Sequence, residues 1–151
     1  MRAVQHQELA MPLFFALIIL LNSFVVDATE LEFSNATVRQ PLPGKSLSAG
    51  YFSVSNPGVN NIQLVAASSD WFERVELHQH SMHNGMMRME KVESFQVQAG
   101  EQLHLQPGGL HLMLFKPKYE LTLGAKVPIQ IRAADGQQWQ ISAVVTRIPT
   151  Q

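Results

Sequence analysis

Cysteine is missing from all 151 residues of this chain. Without thiols no disulfide can cross-link the fold, so its stability has to come from a packed core. A blue-copper centre for electron transfer is also excluded, because its copper chemistry depends on a thiolate ligand. Any metal site in this chain must therefore use other donor atoms.

An excess of charge of either sign is missing as well. From Thr29 onward the chain carries ten Lys and Arg against ten Asp and Glu, without a run of like charges. No basic patch points to nucleic acid as a partner. There is no His-Glu-x-x-His motif and no nucleophile constellation, so we predict that the chain is not an enzyme.

A hydrophobic run long enough to cross a bilayer is the third absence. The apolar block Met11–Leu21 has about eleven residues, whereas roughly twenty are needed for a transmembrane helix. Small residues follow at positions 26 to 28, so we predict a signal peptide over residues 1–28, with an uncleaved N-terminal anchor as the alternative. Residues 29–151 then form one exported domain of single-core size.

Helical periodicity is the fourth absence, since no segment repeats apolar residues every 3.6 positions over three turns. Short, partly alternating runs stand between turn formers such as Asn84-Gly85 instead. We predict strands over residues 33–39, 49–55, 62–67, 74–80, 86–92, 102–106, 111–115, 127–133 and 138–147. Many short strands at this spacing favour an all-β antiparallel sandwich or barrel.

What the chain does contain is a concentration of His and Met. After Thr29, all five histidines and all five methionines lie between His78 and Met113. They are His78, His80, His83, His104, His111, Met82, Met86, Met87, Met89 and Met113. Imidazole and thioether without thiolate form a donor mixture that suits soft Cu(I) better than zinc, calcium or magnesium. The sequence therefore predicts a copper-binding protein.

Strand geometry sorts many of these donors into pairs, because side chains at i and i+2 share a face. The pairs are His111 with Met113, Met87 with Met89, and His78 with His80. Leu112 and Leu114 should face the core behind the first pair. The Asn84-Gly85 turn is expected to make the strands of the other two pairs neighbours, so that their donors can converge on one ion.

The remaining positions are predicted to have other roles. Met86 has the opposite parity and is expected in the core, where methionine is a common filler. Met82 and His83 are expected in a loop. His104 is expected to face solvent from a strand, and Phe115 is interpreted as a core aromatic.

The spacing of four donors resembles a known copper signature. His78, ten residues, Met89, twenty-one residues, His111, one residue and Met113 resemble the motif of the periplasmic PCu(A)C copper chaperones. The flanking segments 75–78, 85–89 and 105–114 resemble that family too, and the likeness covers essentially the whole mature domain. It implies a cupredoxin-like Greek-key β-sandwich or barrel, with Cu(I) held by the four motif residues.

The resemblance also implies a function. A member of this family is expected to be a monomeric periplasmic metallochaperone that carries Cu(I) for the copper centre of cytochrome oxidase. Its acceptor would be the copper subunit of the oxidase or a thioredoxin-fold copper metallochaperone. A periplasmic copper-buffering or resistance protein without a dedicated acceptor is the alternative, since the same ligands serve storage.

This chain departs from the simplest family pattern by carrying further donors near the motif. A second copper, including Cu(II), could be held by His80, Met82, His83 and Met87. Relatives with a second site in a His- and Met-rich tail are not matched here, because residues 146–151 contain neither residue type.

Overall fold

The structure of the protein, a computed structural model, describes residues 30–147. Ten strands make up this part of the chain: β1 (Glu32–Arg39), β2 (Leu47–Ser55), β3 (Ile62–Ser68), β4 (Phe72–His83), β5 (Met86–Lys91), β6 (Phe95–Val97), β7 (Gln102–His104), β8 (Leu110–Pro117), β9 (Lys126–Ala133) and β10 (Gln138–Thr146). The predicted all-β class is confirmed. Among the described residues there is no helix that could span a membrane. The predicted signal peptide lies outside the described residues.

The strands form one hydrogen-bonded sheet whose order differs from the order in the sequence. The order is β5-β4-β8-β2-β1-β10-β9-β3-β6, and β7 pairs separately with β2. Strand β8 therefore lies between β4 and β2, and β1 pairs with β10 in parallel. The sheet folds over, so that β3 also packs near β4. This arrangement encloses a core between two layers.

The core is filled by one face of each strand, as alternation predicts. In β9, for example, Val127, Ile129 and Ile131 are buried, whereas Gln130 and Arg132 are exposed. Leu112 and Leu114 of β8 are also fully buried, which confirms the prediction for them. The buried polar side chains of the described region are those of Ser48, Asn56 and His111. Of these, only the imidazole of His111 can bind a soft metal.

Each of the nine predicted strands is present, with shifted ends, and one strand was missed. The missed strand is β6, which has only three residues. The largest shift is in β4, which continues to His83 because Asn84 and Gly85 form a tight reversal with φ of 51° and 76°. Two consecutive residues with positive φ are typical of a two-residue hairpin turn that lets pairing run up to its edge. The predicted loop location of Met82 and His83 is therefore wrong, since both belong to β4.

Two further side-chain predictions are corrected by the architecture. Met86, predicted for the core, is 58% exposed, because β5 is the outermost strand at one end of the sheet and all its residues are exposed. Phe115 is only half-buried. The centroid of its ring lies 4.1 Å from the guanidinium carbon of Arg74. The ring is on the face of β8 opposite to the face that buries Leu114 in the core. Phe115 thus belongs to the outer face of the sheet.

Candidate metal centre

Three neighbouring strands, β5, β4 and β8, bring most of the His and Met side chains to this outer face. Residues directly opposite each other in an antiparallel pair share a face, and so do residues at i and i+2. From the hairpin turn inward, the successive rows are Met82 with Met87, His80 with Met89, His78 with His111, and Glu76 with Met113. Donors separated by up to thirty-five positions in the sequence, His78 to Met113, therefore lie on one surface.

The three imidazoles of this face lie side by side. The ring centroid of His111 is 5.0 Å from that of His80 and 5.8 Å from that of His78. Each ring has a buried nitrogen without a hydrogen-bond partner: Nδ1 of His78, Nδ1 of His80 and Nε2 of His111. Leaving a buried polar atom unpaired is costly and needs a reason. A bound metal ion, which these three nitrogen atoms could coordinate, would supply that reason.

The tautomer of His78 follows from its contact with Glu76. The Nε2 atom lies 2.9 Å from a carboxylate oxygen of Glu76, and this hydrogen bond is the main reason why the pKa of Glu76 is lowered. An ionised carboxylate can only accept, so Nε2–H must donate. In the neutral ring the lone pair is then on Nδ1, which is the unpaired atom. A carboxylate behind a ligating imidazole is a recurrent arrangement in metal sites.

A backbone carbonyl fixes the tautomer of His111, and here the free nitrogen is Nε2 rather than Nδ1. Its Nδ1 atom lies 3.1 Å from the carbonyl oxygen of Gly109, which can only accept, so Nδ1–H donates and the lone pair is on Nε2. Burial lowers the pKa of His111, although the bond to Gly109 opposes this shift. Burial thereby favours the neutral imidazole, which is the form that binds metal.

Sulfur donors are needed to complete a site. Within residues 30–147 no group of three or more His, Asp or Glu side chains is arranged to hold an ion, so the imidazoles do not enclose a metal by themselves. Met113 follows His111 on the same face and lines a cavity of about 230 Å³ beside Leu42 and Leu47. Met89, 46% exposed, lies on the edge strand. The donor set of imidazole nitrogen and thioether sulfur fits a soft monovalent copper ion.

The structure brings most of the predicted donor residues, but not all of them, to the outer face. His78, Met89, His111 and Met113 share the outer face, and so do three of the four additional donors, namely His80, Met82 and Met87. His83 does not join them, because it pairs with Met86 on the other face of the hairpin. His104 is exposed on β7 and contacts the hydroxyl of Ser53, as predicted for a solvent-facing position.

Glu76 is the residue of this site that the sequence reasoning missed. Its position two residues before His78 was a usable signal, since i and i+2 share a face. The carboxylate also lies 2.9 Å from Nε of Arg74 and 3.4 Å from Nζ of Lys91. These two cations help to keep it ionised and so able to accept from His78.

Comparison with known proteins places this fold among described families. A family model described as "Putative lipoprotein LpqE-like" matches residues 31–145. One curated relative, "Putative lipoprotein Lxx21020" from Leifsonia xyli subsp. xyli, is 33% identical over 68% of this chain and 62% of its own length. The chain thus spans less than two thirds of that relative.

Two solved structures are similar to this fold. The solution structure of "CuI-DR1885" from Deinococcus radiodurans is 30% identical and covers 76% of each chain, with a TM-score of 0.62. The copper-bound PCuAC domain from PmoF2 covers 78% of this chain and 93% of its own, with a TM-score of 0.67 at 18% identity, which bears on the fold alone. The cupredoxin-like fold and the resemblance to PCu(A)C domains are thereby confirmed. The assignment of individual copper ligands stays a prediction.

Proposed function

The chain belongs to the LpqE-like family, and we propose that it is an exported metallochaperone that binds Cu(I) and delivers it to the copper centre of cytochrome oxidase. The observation that carries the proposal is the row of buried, unpaired imidazole nitrogens beside thioethers on one face. The Cu(I)-bound state of the Deinococcus protein, which is 30% identical to this chain, supports it. The lipoprotein naming of the relative supports export, and we place the protein in the periplasm.

The proposed ligands are Nδ1 of His78, Nε2 of His111, and the sulfur atoms of Met89 and Met113. His78 and His111 are directly opposite each other, and Met113 and Met89 are diagonal to His78 on its two neighbouring strands. Diagonal neighbours are about 7–8 Å apart at Cα, within reach of long side chains. Four neutral donors leave the charge of the ion uncompensated, which favours Cu(I) over Cu(II).

Release is proposed to begin at Met89. This side chain lies on the outermost strand and is 46% exposed, whereas His111 is only 2% exposed. A ligand from the acceptor can therefore replace the Met89 thioether while both imidazoles still hold the ion. The acceptor is proposed to be the copper subunit of the oxidase or a thioredoxin-fold metallochaperone. The protein acts as a carrier rather than an enzyme, because copper changes ligands without any substrate bond being broken.

The test is an anaerobic competition of the purified protein against a colorimetric Cu(I) chelator, beside the variant His111→Ala/Met113→Ala. One tight equivalent should be present in the wild type and lost in the variant. His104→Ala is the matched control, because His104 is exposed on β7, which pairs with β2, and its Nδ1 contacts the hydroxyl of Ser53 rather than a proposed ligand. Tight binding that survived the double substitution would show that the assigned ligand set is wrong.

Delivery is then tested by transfer. Copper-loaded protein mixed with the copper-free oxidase subunit should lose its ion faster than it does to a chelator of equal affinity, and Met89→Leu should change that rate. Copper loss that does not depend on the acceptor would instead favour a buffering or resistance protein.

A further inference from the structure

The β4–β5 hairpin carries methionines that packing does not explain. Met82 is 67% exposed and Met87 is 65% exposed, and they form the row of the outer face nearest the turn. An exposed thioether on an edge strand adds little to a core. Exposure falls along the face from this row, through Met89, to the nearly inaccessible His111. The soft donors therefore form a continuous series from solvent to the proposed buried site.

The register puts three of these donors within reach of one ion. Met82 and Met87 are directly opposite each other, which brings Cβ atoms to about 4.5–5.5 Å in antiparallel pairs. His80 precedes Met82 by two positions on the same face and has a buried Nδ1 without a partner. The ligand set proposed above uses none of these three side chains. Two thioethers and one imidazole form a neutral, soft donor set.

We propose that His80, Met82 and Met87 form an outer Cu(I) site that loads the inner site by way of Met89. The inference rests on the proposed function, because the inner site is the destination of the ion. Met89 stands opposite His80 and diagonal to His78, so it can contact an ion in either site. In the transfer step the bond from copper to Met87 breaks as the bond to Met89 forms. Copper stays monovalent, and no proton or electron moves.

The experiment uses Met82→Leu/Met87→Leu in the full-length protein. Leucine keeps the volume and apolar character of methionine, so a change reports the loss of sulfur. Both side chains are exposed, and the variant is expected to fold. Met86→Leu is the matched control, because Met86 is an exposed methionine of the same hairpin that pairs with His83 on the opposite face. The same anaerobic chelator competition is applied to each protein.

We expect the wild type and Met86→Leu to bind a second Cu(I) equivalent more weakly than the first. Met82→Leu/Met87→Leu should lose this second equivalent. It should persist in His111→Ala/Met113→Ala, where the tight equivalent is gone. Equal loss in Met86→Leu, or a second equivalent that survives the double leucine substitution, overturns the outer site. A single equivalent that depends on His111 and Met113 also overturns it but leaves the proposed function intact. A single equivalent that depends only on Met82 and Met87 supports the outer site and overturns the inner ligand set.

Discussion

At the scale of single residues, the site depends on which nitrogen of each imidazole is free. Glu76 accepts from Nε2 of His78, and the carbonyl of Gly109 accepts from Nδ1 of His111. The free lone pairs are therefore on opposite atoms of the two rings. Hydrogen bonds behind the ligands, rather than the ligands alone, thus decide how the imidazoles can approach one ion.

Replacing Glu76 by Gln should leave the tautomer of His78 less firmly fixed. An amide can donate as well as accept a hydrogen bond, so it permits either tautomer. We expect Cu(I) affinity to fall by roughly tenfold to a hundredfold, the usual effect of losing such a partner. Nitrogen chemical shifts of the His78 ring should show a mixture of tautomers in the copper-free variant.

Glu73→Gln is the control for this prediction. Glu73 is exposed and pairs with Lys116 rather than with a histidine, so its substitution should leave both affinity and tautomer unchanged. If Glu76→Gln kept a single Nε2–H tautomer and full affinity, Glu76 would have no positioning role.

At the scale of elements, the β4–β5 hairpin is the part of the fold on which the edge ligands depend. Its turn needs positive φ at both Asn84 and Gly85. The strand β5 contacts the rest of the sheet only through β4 in the sheet order, and its residues are exposed. Pairing with β4 is therefore what holds Met87 and Met89 in place.

Gly85→Ala should loosen this hairpin. A Cβ would meet no atom within 4 Å, so the cost is backbone strain at positive φ, about 1 kcal/mol. We expect faster amide hydrogen exchange in β5 and weaker Cu(I) binding, with unchanged exchange in β9. Gly136→Ala is the matched control, since its φ is 93° and it also meets no neighbour, but it lies in the β9–β10 turn. Copper binding reduced equally by both substitutions would contradict a specific role of the hairpin.

At the scale of the whole molecule, stability and the site are linked through the burial of His111. The pKa of His111 is lowered below its ordinary value of 6.5 by desolvation. The unfolded chain therefore binds more protons than the folded one between the two pKa values, and stability rises with pH in that interval. The contribution is complete above about pH 6.5 and is lost as the pH falls toward the lower, folded pKa.

Urea unfolding of the copper-free protein between pH 7 and pH 5 should reveal this dependence. We expect the free energy of unfolding to fall with decreasing pH, by at most about 1.4 kcal/mol per pH unit for a difference of one proton. The variant His111→Gln should reduce the dependence of the unfolding free energy on pH, whatever its effect on absolute stability. The variant His104→Gln should leave that dependence unchanged. An unchanged slope in His111→Gln would show that another group causes it.

The sequence alone determined the type of fold and the donor chemistry. Alternation and turn formers predicted nine of the ten strands, because these patterns are local. The three-residue β6 escaped because it is too short to show a pattern. The absence of cysteine and the clustering of His and Met by themselves restrict the metal chemistry to soft neutral donors.

Only the tertiary structure decided which donors meet. The insertion of β8 between β4 and β2 places His111 opposite His78, and no local pattern encodes that non-local pairing. The exposure of Met86 depends on β5 being the outermost strand, and parity cannot reveal whether another layer covers a face. The role of Glu76 depends on the rotamers that bring its carboxylate to His78. Local residue preferences determine strands and donors, whereas long-range strand pairing and burial determine how those donors are assembled into a site.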